Sequence, residues 1–282
     1  MGVECTGERP AELVVYECHA PGLPRREPES AAFLGIWPEP PFYYLFFDRP
    51  RDGLVRRWLG EQPGWTLRGV QRMDYTQWQD VAVEPRRVGP FVVGVESRHG
   101  SGQSVDGIPI RLAPGVAFGT GVHPTTCGCL LAIASLYEKE APPASVVDLG
   151  TGTGVLAIAC ARLGASVICA IDCLPIAVRE ATRNIRANEL EGFVHVVIAD
   201  TLNCVRDGAD LLLMNLEWPC LIKVLREEDW SKFRNVVLSG FLEPQWETVR
   251  TMLPVGCKVV SRYIRDGWVA AVVSTNAANS IP

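Results

Sequence analysis

The stretch Val146-Val147-Asp148-Leu149-Gly150-Thr151-Gly152-Thr153-Gly154-Val155-Leu156 decides how the chain is read. A short apolar run ends in an acid, and a loop with glycine at every second position follows. Residues 155–163 are apolar with small side chains, the pattern of a buried helix. Strand, glycine-rich turn and helix N-terminus form a nucleotide-binding corner. Glycine lets the backbone turn sharply there and lets a ligand rest against main-chain atoms.

A dinucleotide fold is the nearest rival. Its fingerprint is G-x-G-x-x-G, with the pyrophosphate on the helix N-terminus. Here the loop is G-x-G-x-G, and Asp148 stands two residues before its first glycine. A carboxylate repels a pyrophosphate, whereas it favours a ligand that carries an ammonium and a sulfonium. S-adenosylmethionine (SAM) is such a ligand. The loop therefore favours a SAM site over a dinucleotide site, with a plain structural turn as the third reading.

The chain has 282 residues, enough for one large or two ordinary domains, and 48% of them are hydrophobic. A net charge of −5 provides no global basic field, so direct nucleic-acid binding is not expected, while a basic protein segment can still be a partner. Ten cysteines are scattered without a C-x-x-C pair. Cys127/Cys129 and Cys169/Cys173 lack histidine partners at zinc spacing, so no metal is expected. These thiols read as reduced, as in a cytoplasmic protein. No signal peptide or run of ~20 apolar residues is seen, which argues against a membrane protein.

Along the chain, Glu12–Cys18, residues 31–38, Phe42–Phe47 and Trp65–Val70 read as strands. Leu54, Val55, Trp58 and Leu59 fall at helical spacing. Residues 1–75 are thus expected to form a small α+β domain, and residues 76–112 a connecting segment with short strands at 91–95 and 108–112. Residues 113–282 are expected to form the SAM-binding domain. That region opens on a glycine-rich loop, 114–126, whose glycines leave it free to close over a ligand. It leads into a helix with Pro124 at its first position.

From Ser145 strand and helix patterns alternate, the mark of a parallel α/β sheet. Strands are expected at 145–149, 166–171, 193–198, 209–214 and 235–239. Helices are expected at 154–163, 175–188, 219–228 and 245–253. The end differs: two strands, 258–264 and 268–273, meet across Arg265-Asp266-Gly267, and Asp-Gly is a strong hairpin signal. The fold class is therefore α/β. It is a seven-stranded methyltransferase sheet with its last strand pair antiparallel, preceded by the small α+β domain. Asp172, Asp200 and Asn215 fall at ends of parallel strands, the edge on which such sheets place ligands. Each taken alone is equally an ordinary turn or cap residue.

Phe118-Gly119-Thr120-Gly121-Val122-His123-Pro124-Thr125-Thr126 resembles the F-G-T-G-x-H-P-T-T motif of the ribosomal protein L11 methyltransferases, and stands just before the D-x-G-x-G-x-G loop. The similarity runs through Ile171-Asp172, Asn215-Leu216, Ser239-Gly240 and Trp268-Val269, over roughly residues 75–275. It implies a SAM-dependent enzyme that methylates amines of a protein, L11 or another lysine-bearing target, with a small N-terminal substrate-recognition domain. It also implies that Phe118, Thr120, His123 and Thr126 cover SAM. The chain departs from the family at two places. The corner Asn215-Leu216-Glu217-Trp218-Pro219 has a charged and a bulky residue where smaller apolar ones are usual. The family's recognition domain is a βαββαβ module, yet Pro21–Pro28 cannot easily form its first helix.

The expected roles follow. Asp148, Gly150, Gly152 and Gly154 hold the methionine and sugar end of SAM, Asp172 the ribose diol, and Asp200 the adenine edge. Asn215 accepts a hydrogen bond from the substrate amine and aims it. Glu217 and Trp218 either line the lysine channel or are simply first-turn helix residues. A non-catalytic SAM-binding regulator or assembly protein, a small-molecule methyltransferase and a dinucleotide oxidoreductase are the alternatives.

Overall fold

The computed structural model describes residues 12–74, 85–94, 106–113, 117, 119, 121, 123–139 and 142–275. The chain divides into two compact units. One comprises residues 1–81 with 114–117 and 174–176, and the other comprises the remainder.

The smaller unit carries β1 (Glu12–His19), β2 (Phe33–Glu39), β3 (Phe42–Phe47), α1 (Asp52–Gly60) and β4 (Thr66–Asp74). Its sheet runs β2-β3-β1-β4, with every neighbouring pair antiparallel. Alternation along β1 sends Val14, Tyr16 and Cys18 to one face, where they join Leu45, Phe47, Val55 and Trp58 in a common core. Strands β1 and β2 are both antiparallel to β3, so the chain must cross over between them. Residues 20–32 make that crossover without a helix, in line with the prolines at 21, 24 and 28. The crossover is fastened to α1 and its C-terminal flank instead. Arg25 N–H donates to Gln62 Oε1 at 3.0 Å, and Trp58 Nε1 donates to the Arg26 carbonyl at 3.0 Å. Trp65 packs between Tyr43 and Trp58, with ring centroids 5.0 and 5.2 Å away.

The larger unit opens with β5 (Arg86–Val88), β6 (Phe91–Val93) and β7 (Ile108–Ile110), a small sheet of its own. Val88, Phe91, Val93 and Ile110 belong to the main core of this unit. Then come α2 (Pro124–Tyr137), β8 (Ser145–Leu149), α3 (Val155–Arg162), β9 (Val167–Asp172), α4 (Pro175–Ala187) and β10 (Val194–Ile198). They are followed by β11 (Leu211–Asn215), α5 (Trp218–Glu227), β12 (Asn235–Leu242), α6 (Trp246–Met252), β13 (Lys258–Arg265) and β14 (Trp268–Ser274).

These last seven strands form one sheet in the order β10-β9-β8-β11-β12-β14-β13. The first five are parallel, and β14 is antiparallel to both of its neighbours. The order reverses direction beside β8, the switch point at which open α/β sheets bind ligands. The central strands β8, β11 and β12 and the neighbouring β14 are buried on both faces because helices cover both, whereas the edge strand β13 is largely exposed. Leu211, Leu213, Val237 and Val272 enter one core with α2 and α3; Leu212, Met214, Val236 and Val273 enter the other with α5 and Trp246 of α6. The hairpin between β13 and β14 turns on Asp266 at φ 50° and Gly267 at φ 77°, both positive as a two-residue type I′ turn requires. Helix α5 begins at Trp218, one residue before the expected start, because proline is tolerated anywhere in a first turn. Every described cysteine is free. No helix among the described residues is long and apolar enough to cross a membrane.

Candidate active site

The glycine loop is set at the end of β8 by backbone hydrogen bonds to the neighbouring strand. Gly150 and Thr151 both donate to the Ile171 carbonyl, at 2.8 and 2.9 Å. Gly150, Gly152 and Gly154 all have positive φ, so the alternate glycines are what lets the loop take this path. Gly154 then caps α3.

Asp148 lies beneath this loop and is almost wholly buried. Its Oδ2 accepts the Thr151 hydroxyl at 2.7 Å. Burial pushes its carboxyl up to about 6, against the stabilising hydrogen bonds from Thr151 and the Ala157 N–H; the Asp172 charge adds to the rise. Asp172 ends β9, and its Oδ2 accepts the Gly152 N–H at 2.9 Å. The first two parallel strands thus bring Asp148, Asp172 and the glycine loop together.

The remaining expected residues fall around this centre. Asp200 is exposed, just past β10. The Cys173 thiol is raised by desolvation, then by the Asp172 carboxylate, with Cys220 and Asp200 adding, so these groups share one neighbourhood. Thr126 is fully buried in the first turn of α2. Asn215 ends β11, and its Nδ2 donates to Thr126 Oγ1 at 3.5 Å, the long limit of a hydrogen bond. That contact leaves the amide oxygen of Asn215 as the group facing other donors.

His123 is the N-cap of α2. Its Nδ1 accepts the Thr125 N–H at 3.4 Å, and its ring stands edge-on to Trp268 with centroids 5.0 Å apart. Burial lowers its pKa. Glu217 is the exposed N-cap residue of α5, with no side-chain capping bond. Trp218, next along, packs against the core on the α5 side of the sheet. Phe118 and Thr120 lie outside the described residues.

Sequence reasoning passed over several residues that build this site. Thr153 donates its hydroxyl to the Gly119 carbonyl at 2.6 Å, and Cys127 Sγ donates to the Gly121 carbonyl at 3.4 Å. Freedom of the glycine-rich loop is therefore restricted at these two positions. Leu216 presses on Gly150 from one side, and its carbonyl lies so close to Gly240 that a Cβ there would meet it at 1.7 Å. The one local signal was the pair Asn184 and Asn188, four residues apart in the last turn of α4 and just past its end, in line with the buried Ala181 and Ile185.

Comparison with known proteins adds an independent line. The family model described as Ribosomal protein L11 methyltransferase (PrmA) matches residues 57–276. A ribosomal protein L11 methyltransferase of Symbiobacterium thermophilum is 32% identical over 263 residues, covering 88% of this chain and 82% of the relative. One from Carboxydothermus hydrogenoformans is 34% identical over 209 residues, covering 72% of this chain and 67% of its own length. Among solved structures, the ribosomal protein L11 methylase of Lactobacillus delbrueckii subsp. bulgaricus is similar with a TM-score of 0.58 at 25% identity. That match covers 68% of this chain and 98% of the solved one.

Proposed function

This chain belongs to the ribosomal protein L11 methyltransferase family, and we propose that its substrate is ribosomal protein L11, methylated on amines. It is a SAM-dependent protein methyltransferase. A ribosomal substrate makes the cytoplasm its place of action.

The observation that carries the assignment of the cofactor site is the acid pair at the switch point of the sheet. Asp148 is buried with a raised pKa, and Asp172 is bonded to the glycine loop. A buried carboxylate that resists ionisation is stabilised by a neighbouring cation, so this donor set fits a sulfonium ligand and opposes a pyrophosphate. SAM supplies a methyl group on a positively charged sulfur, already activated for displacement.

The protein's own task is to bind, orient and desolvate. Asp148 with Gly150, Gly152 and Gly154 holds the methionine and sugar end. Asp172 accepts ribose hydroxyls through its carboxylate oxygens, each of which has more than one lone pair. Asp200 bounds the adenine side. Phe118, Thr120, His123 and Thr126 cover the cofactor. Asn215 presents its amide oxygen to an N–H of the incoming amine and aims the nitrogen lone pair. Glu217 attracts the lysine ammonium before it loses its proton, and Trp218 borders the entrance. The smaller unit recognises the protein substrate.

A second reading, a different lysine-bearing protein in place of L11, draws on the crossover at 20–32, which has no helix, and on Glu217-Trp218 in the corner. The test is transfer of radiolabelled methyl from SAM to purified L11 and, separately, to proteins of a cell lysate. Label in L11 is the expected result. Label in another protein but not in L11 selects the second reading. SAM binding without label anywhere would make the chain a non-catalytic SAM-binding protein.

A further inference from the structure

Asn184 is completely buried on α4, and both ends of its amide are bonded to backbone. Its Oδ1 accepts the Ala113 N–H at 2.8 Å, and its Nδ2 donates to the Thr153 carbonyl at 2.8 Å. One turn later Asn188 repeats the device on Arg111, accepting its N–H at 3.0 Å and donating to its carbonyl at 2.7 Å. Asn188 also donates to the Asn184 carbonyl at 2.8 Å. Thr153 completes the relay through its hydroxyl, bonded to the Gly119 carbonyl at 2.6 Å. Gly119 has φ +109°, and a Cβ there would stand 2.9 Å from Thr153 Oγ1.

The arrangement links three stretches of chain. Thr153 lies in the glycine loop, Ala113 just before the F-G-T-G segment and Gly119 inside it. Buried amides and hydroxyls of this kind are costly to leave unpaired, so a fully satisfied relay holds one geometry. No group in it has a charge to offer a ligand. Its bonds go to main-chain atoms of the two segments expected to enclose the cofactor.

Resting on the SAM site assigned above, we propose that Thr153 and Asn184 are positioning residues. They register the backbone of Ala113 and Gly119 against the glycine loop, so that Gly119 and the loop meet the cofactor as one surface. Both act through the backbone of Gly119 and Ala113. The relay then governs how tightly SAM is held, while the displacement step depends on the groups around the acceptor.

Thr153→Val is the direct test, because valine keeps the β-branched shape of threonine and exchanges its hydroxyl for a methyl that cannot donate. SAM affinity by titration calorimetry should weaken about tenfold, the loss of one ordinary hydrogen bond. The KM for SAM should rise with it, and kcat at saturating SAM should stay within about twofold. Thr153→Ser, which keeps the hydroxyl, should restore affinity. Asn184→Asp keeps an acceptor for Ala113 but sets an oxygen against the Thr153 carbonyl, and should weaken SAM in the same direction. If Thr153→Val and Thr153→Ser both bind SAM like the wild type, the relay is only structural and the proposal fails. It also fails if serine does not rescue. A wild-type protein that binds no SAM would instead remove the cofactor assignment itself, so the two failures are distinguishable.

Discussion

Asp172 accepts the Gly152 N–H at 2.9 Å, so the acid that ends β9 and the loop that ends β8 form one hydrogen-bonded unit. The acid has a structural partner as well as its proposed ligand, the ribose. Asp172→Ala should therefore weaken SAM by about 100-fold or more, since hydrogen bonds to a charged group contribute about 1.5–3 kcal/mol each. Asp172→Asn retains an oxygen for Gly152 and should keep the wild-type melting temperature while still binding SAM poorly. Calorimetry beside thermal melts separates the two roles. Wild-type affinity in a folded Asp172→Ala protein would refute the ribose assignment.

Asp148 couples the stability of the fold to pH in a definite direction. Its folded-state pKa, about 6, lies above the ordinary carboxylate value near 3.9. The native state therefore holds this proton more tightly than the unfolded chain. The contribution to stability is full below about pH 4 and is lost as pH rises through 6. Relative to Asp148→Asn, the wild type should gain about 1.4 kcal/mol between about pH 8 and pH 5, read by urea denaturation of both proteins. SAM binding should run the other way, weakening in the wild type as pH falls through 6 because the ionised acid is what attracts the sulfonium. An Asp148→Asn protein with the same pH dependence as the wild type would exclude this account.

Asn215→Ala should leave SAM affinity nearly intact and lower methyl transfer by about 100-fold, the effect of a nucleophile misplaced by about 1 Å. Asn215→Asp should hold the amine as an ammonium, and its activity should recover in part at high pH as the amine deprotonates. Equal loss of SAM binding and of transfer in the alanine variant would move Asn215 into the cofactor site. Rapid-quench assays at saturating SAM read the difference.

Gly240 and Gly256 share nearly the same backbone angle, φ +96° and +94°, but have different surroundings. Gly256→Ala meets nothing within 4 Å and should lose only the conformational cost, about 1–2 kcal/mol. Gly240→Ala would drive a methyl into the Leu216 carbonyl and should lose well over that, with the Asn215 corner displaced. Chemical denaturation of both variants, with activity of whichever folds, provides the check. Equal losses would mean that the Leu216–Gly240 contact relaxes freely.

Much of the larger unit was legible because its signals are local. Residues 145–149 hold two valines and a leucine around one acid just before the glycine loop, and Asp266-Gly267 carries its turn type in two residues. The strand ends were displaced by up to three residues, as where β12 runs on to Leu242 beside β14, because a strand extends as far as its neighbour offers hydrogen bonds, which no single segment reveals. Asp172 was read as a strand-end acid from position alone, and it ends β9, whereas Asp200 lies two residues past β10. Thr153 and Asn184 were not legible in this way, because each works by bonding the backbone of a segment distant in sequence. A side chain that serves a remote carbonyl has no neighbours in sequence to betray it. Trp218 shows the opposite limit: an aromatic in a first helical turn reads equally as a ligand contact or as a plain helix residue, and the side chain packs on the core.

The proline-rich crossover at 20–32 bears on how this module can change over generations. A crossover helix is phase-locked, because one added residue rotates everything after it by about 100° and turns its buried face outward. The extended crossover has no such phase. It is moored at separate points, through Arg25 to Gln62 and through Trp58 to Arg26, and the residues between the strand ends and these moorings obey no period. Insertions and deletions there can reshape the outer surface of the smaller unit while the register of β1 on β3 and β4 stays as it is.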